Sequence, residues 1–192
     1  MNRFSMMEDR ELMLYLQKGE ASAFDELYTR YHKPMLGYFI RMFNYDKPKA
    51  QDALHDLFLK VIEKPHLYDA SKPFSSWLYA IAHNQCKNQY KHNEVVKKAH
   101  AELKHTEDVL DERFLTSAAA KMDVKDFKQA LLEALRELPA DKKATFILRY
   151  QEDKPIAEIA GIMECSEGTV KSRIHYTLKI LSDKLKIYNP LI

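Results

Sequence analysis

Apolar residues recur every three or four positions along most of this chain, the repeat of a helix with one face turned inward. The clearest stripe is Ala50, Ala53, Leu54, Leu57, Phe58, Val61 and Ile62, with Asp52, Asp56, Lys60 and Glu63 opposite and Pro65 as its stop. Before it, Phe24, Leu27, Tyr28, Tyr31, Met35, Tyr38, Phe39 and Met42 predict a longer helix. Pro34 lies within that stripe and predicts a bend or a local shift of hydrogen bonding. A short opening helix around Leu12–Leu16 ends at Gly19, and 44–48 reads as a loop. A second loop, His66 to Pro73, leads into a helix around Trp77, Leu78, Ile81 and Ala82 that continues through Tyr90. The spacing makes Trp77 a core residue.

From Asn93 to about Met122 no face persists, which marks a linker. Order returns with Val124, Phe127, Leu131, Ala134, Leu135 and Leu138, a helix ending before Pro139. Helices over about 141–150, 156–162 and 167–186 follow. Only four glycines and seven prolines interrupt 192 residues, which suits helices better than a sheet. The predicted fold is all-α: two small helical domains, 1–94 and 123–192, joined by a flexible linker at 95–122.

Residues 155–186 have the layout of a helix-turn-helix. Ile156, Ile159, Ala160 and Ile162 suit the first helix, and small Ala160 permits close approach of the second. Met163-Glu164-Cys165 forms the turn, and Ser166 is a good N-cap. Thr169, Lys171, Ser172, Arg173 and His175 then crowd the start of the second helix, where side chains reach base edges in a major groove. Val170 and Ile174 belong to the core.

Charge narrows the function. A formal net charge of +2 is low for a protein held on DNA by counterion release alone, so DNA contact needs local patches or a partner. Cys86 and Cys165 are far apart, and His83 with Cys86 makes only half a zinc ligand set, so neither a metal nor a cofactor is expected. Unpaired thiols, no apolar leader and no apolar run of bilayer length predict a cytoplasmic protein without membrane contact. Phosphate-loop, dinucleotide-turn, GxSxG and HExxH motifs are all missing, so no catalytic site is expected. An operator-binding regulator using residues 123–188 is the alternative reading.

The stretches Leu135-Arg-Glu-Leu-Pro139, Phe146-Ile-Leu-Arg-Tyr150, Glu158-Ile-Ala160 and Ser166-Glu-Gly-Thr-Val-Lys-Ser-Arg173 resemble domain four of sigma-70 family transcription initiation factors. Phe24-Asp-Glu-Leu-Tyr28, Ala50-Gln-Asp52 with Phe58, and Phe74-Ser-Ser-Trp-Leu-Tyr-Ala-Ile-Ala82 followed by Asn84 resemble domain two. Together they resemble the compact extracytoplasmic-function group, which retains only those domains.

The resemblance implies three surfaces. Asp52, His55, Asp56 and Lys60 would dock on the clamp helices of the beta-prime subunit of core RNA polymerase, with beta as a further contact. The loop from His66 to Phe74, with Asn84, Lys87, Asn88 and Lys91, would melt the minus-ten element and capture an extruded base. Lys171, Ser172 and His175 would read the minus-thirty-five element, while Arg149, Ser166, Thr169 and Arg173 lie along the DNA backbone. Promoter DNA, core polymerase and an anti-sigma factor are the implied partners of a chain that is a monomer when free.

Overall fold

The computed structural model describes residues 3–103 and 124–188, and these form eight α-helices and two short 3-10 turns, with no strand among the described residues. The first half contains α1 (Asp9–Gln17), α2 (Ala21–Met42), α3 (Lys47–Glu63) and α4 (Phe74–Leu103). The second contains α5 (Val124–Arg136), α6 (Ala140–Tyr150), α7 (Ile156–Ile162) and α8 (Glu167–Lys184).

Local chemistry explains most of the boundaries. Gly19 closes α1 at φ +89°, a conformation that costs a residue with a Cβ about 1 kcal/mol or more. Pro34 sits inside α2 without ending it. The helix α3 begins at Lys47, inside the predicted 44–48 loop, because the Asp46 side chain accepts the Lys49 amide and Pro48 falls in the first turn, where its missing N–H costs nothing. Asn44, at φ +57°, and Tyr45 turn the chain between α2 and α3.

The first core follows the predicted stripes. Leu27, Met35, Tyr38, Phe39 and Met42 of α2 are buried against Ala50, Leu54, Leu57, Phe58 and Val61 of α3 and Leu78, Tyr79, Ala82 and Cys86 of α4. Arg30 joins α1 to α2 by donating to Asp9 at 2.8 Å and Glu26 at 2.9 Å, and Tyr31 donates to the same Asp9. Burial, reinforced by that hydrogen bond, pushes the Tyr31 hydroxyl far above its ordinary pKa.

One finding differs from the expected layout, and a second settles an arrangement that the sequence leaves open. The helix α4 continues to Leu103, past the expected linker start at 95. No Gly or Pro interrupts Phe74–Leu103, so the backbone has no reason to stop where the apolar stripe does. The remaining expected linker, 104–122, lies outside the described residues. The halves, moreover, pack together. Ile147 and Leu148 of α6, Ile159 and Ile162 of α7 and Val170 of α8 belong to the same buried cluster as the first half, whereas Ala134, Leu135, Leu138 and Leu181 form a separate one between α5 and α8.

Lys143 of α6 is buried in the contact between the halves and donates to the Asn44 carboxamide. Burial, with the nearby Arg136 charge, pushes its pKa down to about 8 from the usual 10.5. The unfolded chain therefore binds the extra proton across that window, and this lysine's contribution to stability rises with pH from about 8 to 10.5. Burial shifts Cys86 and several tyrosines the other way, so the informative measurement is a difference between two chains. Lys143→Met is expected to be more stable than wild type at pH 7, with an advantage that shrinks steadily towards pH 10 in urea melts. A constant difference would contradict the buried ammonium.

Candidate promoter and polymerase surfaces

On α3, Asp52, His55, Asp56 and Lys60 are all exposed and share one face, as helical spacing requires. Among the described residues neither Asp52 nor Asp56 is held in a salt bridge, so both carboxylates are available to a partner. Leu54, Leu57, Phe58 and Val61 fix the opposite face in the core. A groove of about 590 Å³ lies between α3 and α4, lined by Asp52, Asp56 and Lys60 on one wall and Gln85, Asn88 and His92 on the other. The structure thus joins the expected polymerase face to part of the expected minus-ten helix.

On α4, Asn84, Lys87, Asn88 and Lys91 are exposed at spacings of three, one and three, a single polar face. The loop before α4 is built from local bonds. After a 3-10 turn at Pro65–Leu67, Asp69 accepts the Ser71 amide at 2.9 Å, and the Tyr68 hydroxyl donates to the Lys72 carbonyl at 2.7 Å. The backbone bond from Ser71, with its hydroxyl and Lys72 nearby, holds the Asp69 carboxyl below the usual range. Beside this loop is a second concavity, of about 610 Å³, lined by residues that include Arg10, Tyr68, Ser71, Lys72 and Phe74. Asn84 is ten residues beyond Phe74, or about 15 Å along the helix. Arg10 was not visible as a site residue in the sequence because it sits in α1, far from every motif.

Trp77 is half-buried, edge-on to Tyr68 with ring centroids 5.4 Å apart and tilted against Phe74 at 5.9 Å. It is part of the packing, as its spacing predicts. His83 and Cys86 are also buried, and among the described residues no group of three or more His, Cys, Asp or Glu could hold a metal ion.

The helix-turn-helix is formed by α7 and α8. Glu164 turns the chain at φ +50°, and the Ser166 hydroxyl accepts the Thr169 amide at 3.1 Å, the expected N-cap. Val170 is fully buried and Ile174 packs against the core, which leaves Lys171, Ser172 and His175 exposed on the outer face. Arg173 is different: it is half-buried and donates to Asp141 of α6 at 2.8 Å. Arg149 donates to the Lys154 carbonyl at 3.2 Å. Both arginines are thus engaged within the chain.

The comparisons agree with this geometry. A family model for Sigma-70 region 2 matches residues 27–95, and one for Sigma-70, region 4 matches residues 128–181. The chain is 29% identical over 176 residues to the RNA polymerase sigma-H factor of Pseudomonas aeruginosa, covering 87% of this chain and 88% of that protein. It is 27% identical over 194 residues to the ECF RNA polymerase sigma-E factor of Escherichia coli, covering 97% of each. Among solved structures, the sigma factor RpoE of Bartonella quintana, in complex with the anti-sigma factor NepR, has a TM-score of 0.64 at 22% identity, over 86% of this chain and 98% of that one. CnrH, in complex with the cytosolic domain of CnrY, gives 0.66 at 21%, over 93% and 97%. These two likenesses concern the fold. With both family models in chain order, an exposed acidic face on α3 and a capped helix-turn-helix at α7–α8, the chain belongs to the extracytoplasmic-function group of sigma-70 family transcription initiation factors.

Proposed function

We propose that three exposed faces divide the work of promoter recognition. The observation that supports this best is that α3, α4 and α8 each present an exposed polar face while burying the opposite one. Asp52, His55, Asp56 and Lys60 dock on the beta-prime clamp helices of core polymerase. Asn84, Lys87, Asn88 and Lys91 follow the minus-ten strand, and the concavity beside the 66–73 loop takes the extruded base. That cavity complements Asn84, since exposed Arg10 and Lys72 on its rim can hold the backbone of the strand.

Lys171, Ser172 and His175 read the minus-thirty-five bases, and the Ser166–Thr169 cap supplies hydroxyls and amides for phosphates. Domain two spans 1–94 in this reading, and domain four 123–192. With so small a net charge, the two DNA faces bind weakly by themselves and need polymerase to fix their spacing. Because the solved neighbour RpoE is held by the anti-sigma factor NepR, an anti-sigma factor is the expected antagonist here.

The test is a sizing column of the chain with core polymerase, followed by run-off transcription. A stoichiometric complex that initiates at discrete promoters supports the reading. A chain that ignores polymerase yet retards duplex DNA as a dimer would replace it with an operator-binding regulator.

A further inference from the structure

Where the end of α2 meets α5 and α6, three cations converge on one small cleft. Arg41 and Asn44 line it from α2 and the turn that follows, Arg136 from the end of α5, and Lys143 from near the start of α6. Leu135 and Ile147 give it an apolar wall, and Arg136, which is exposed, stands at its mouth. The cleft encloses about 20 Å³, room for one compact group but not for a whole nucleotide or an acyl chain.

The charges around it do not balance. Lys143 is only 2% exposed, and its ammonium meets a neutral acceptor, the Asn44 carboxamide. Among the described residues neither Lys143 nor Arg136 forms a salt bridge with a carboxylate. Arg41 has one in Glu152, whose other oxygen already accepts the Tyr79 hydroxyl. Arg41 also keeps a buried Nε–H that no group among the described residues accepts. Three positive groups thus share a single negative one.

A buried ammonium without a counter-charge is costly, and the chain has two ways to relieve the cost: to shed the proton or to bind an anion. Burial, with the Arg136 charge, lowers the Lys143 pKa only to about 8, so the proton is retained at pH 7. The donors also indicate which anion fits. Guanidinium groups present N–H bonds in a planar fork that matches paired oxygens, and an ammonium adds a compact charge. We propose that this cleft is a binding site for a phosphate-type oxyanion, held by Arg136, Lys143 and the buried Nε–H of Arg41. The site goes beyond promoter recognition, since it makes the stability of the fold depend on a small solute. Neither polymerase nor DNA enters its test.

Phosphate and sulfate stabilise most proteins by exclusion from the surface, an effect that ignores single residues. The test therefore asks for saturation and for residue dependence. The full chain at pH 7 and constant ionic strength is titrated with inorganic phosphate, followed by phosphorus NMR line width and by melting temperature. Wild type should show saturable binding and a melting temperature raised by roughly 5–10 °C at about 100-fold excess over Kd. Arg136→Gln, at an exposed position, and Lys143→Met should each weaken binding about ten-fold or more, the loss expected for a charged hydrogen bond. Lys33→Gln removes an exposed lysine that does not line the cleft and should bind as wild type does. The stability advantage of Lys143→Met at pH 7 should also shrink as phosphate is added.

Glycerol phosphate that binds as tightly as inorganic phosphate would support the site with an esterified phosphate as its source. Binding of the free ion alone would support it with that ion. A wild type whose melting temperature rises without saturating, equal responses from wild type, Arg136→Gln and Lys143→Met, or a response lost in Lys33→Gln would each overturn the site.

Discussion

Asp52→Arg/Asp56→Arg is expected to abolish co-elution with core RNA polymerase while leaving the melting temperature near that of wild type. Both carboxylates are exposed on α3, one turn apart, and their removal disturbs no buried contact. The substitution turns two negative charges into two positive ones. Against a basic partner surface the attraction becomes repulsion, and like charges brought together at an interface cost several kcal/mol, on the order of a 10²–10³-fold loss of affinity. Raising the salt concentration should weaken wild-type binding and narrow the gap between the two chains, because exposed charges are screened within about 10 Å at 0.1 M. A variant that still co-elutes would move the docking surface off this face of α3.

The second large effect is expected at α8. Lys171→Ala/His175→Ala should leave polymerase binding intact and cut transcription from a cognate promoter by roughly 10- to 100-fold, since a good base contact is worth about 1–3 kcal/mol. Among the described residues Lys171 makes only a long, exposed pair with Glu167 at 3.9 Å, so its loss should not disturb the fold. Arg173→Ala behaves differently. It removes the 2.8 Å bond to Asp141 as well as any phosphate contact, so both stability and promoter activity should fall. Equal transcription from wild type and the double variant would place minus-thirty-five reading elsewhere.

Much of this was legible in the order of residues. The helix-turn-helix could be read nearly to the residue: α7 spans Ile156–Ile162 as predicted, because its apolar residues, the tight turn and Ser166 all specify the same local geometry. The exposed face of α3 was legible for the same reason, as the complement of its buried stripe. The end of α4 was less so, since a helix announces itself through the face it buries. The stripe faded after Tyr90 although nothing there breaks a helix.

The packing of the two halves could not be read at all. Arg41 meets Glu152 across 111 residues and Ser76 meets Glu158 across 82, and neither pair disturbs the local periodicity of its own helix. Polar residues of this kind look like ordinary surface until their partners are known. The same holds for Arg10, which joins the loop cavity only through the folding of α1 against the first half.

The packing of Trp77 gives the molecule an optical reporter of its own. The chain has a single tryptophan, so intrinsic fluorescence excited at the red edge of protein absorption comes from one known place. That indole rests edge-on to Tyr68, whose hydroxyl ties down the 66–73 loop through Lys72. Any rearrangement of the loop around an incoming base must change the polarity and quenching that Trp77 experiences. If that loop takes the extruded base as proposed, its capture can be timed by stopped-flow emission on the unlabelled protein, separately from the proposed binding of α8.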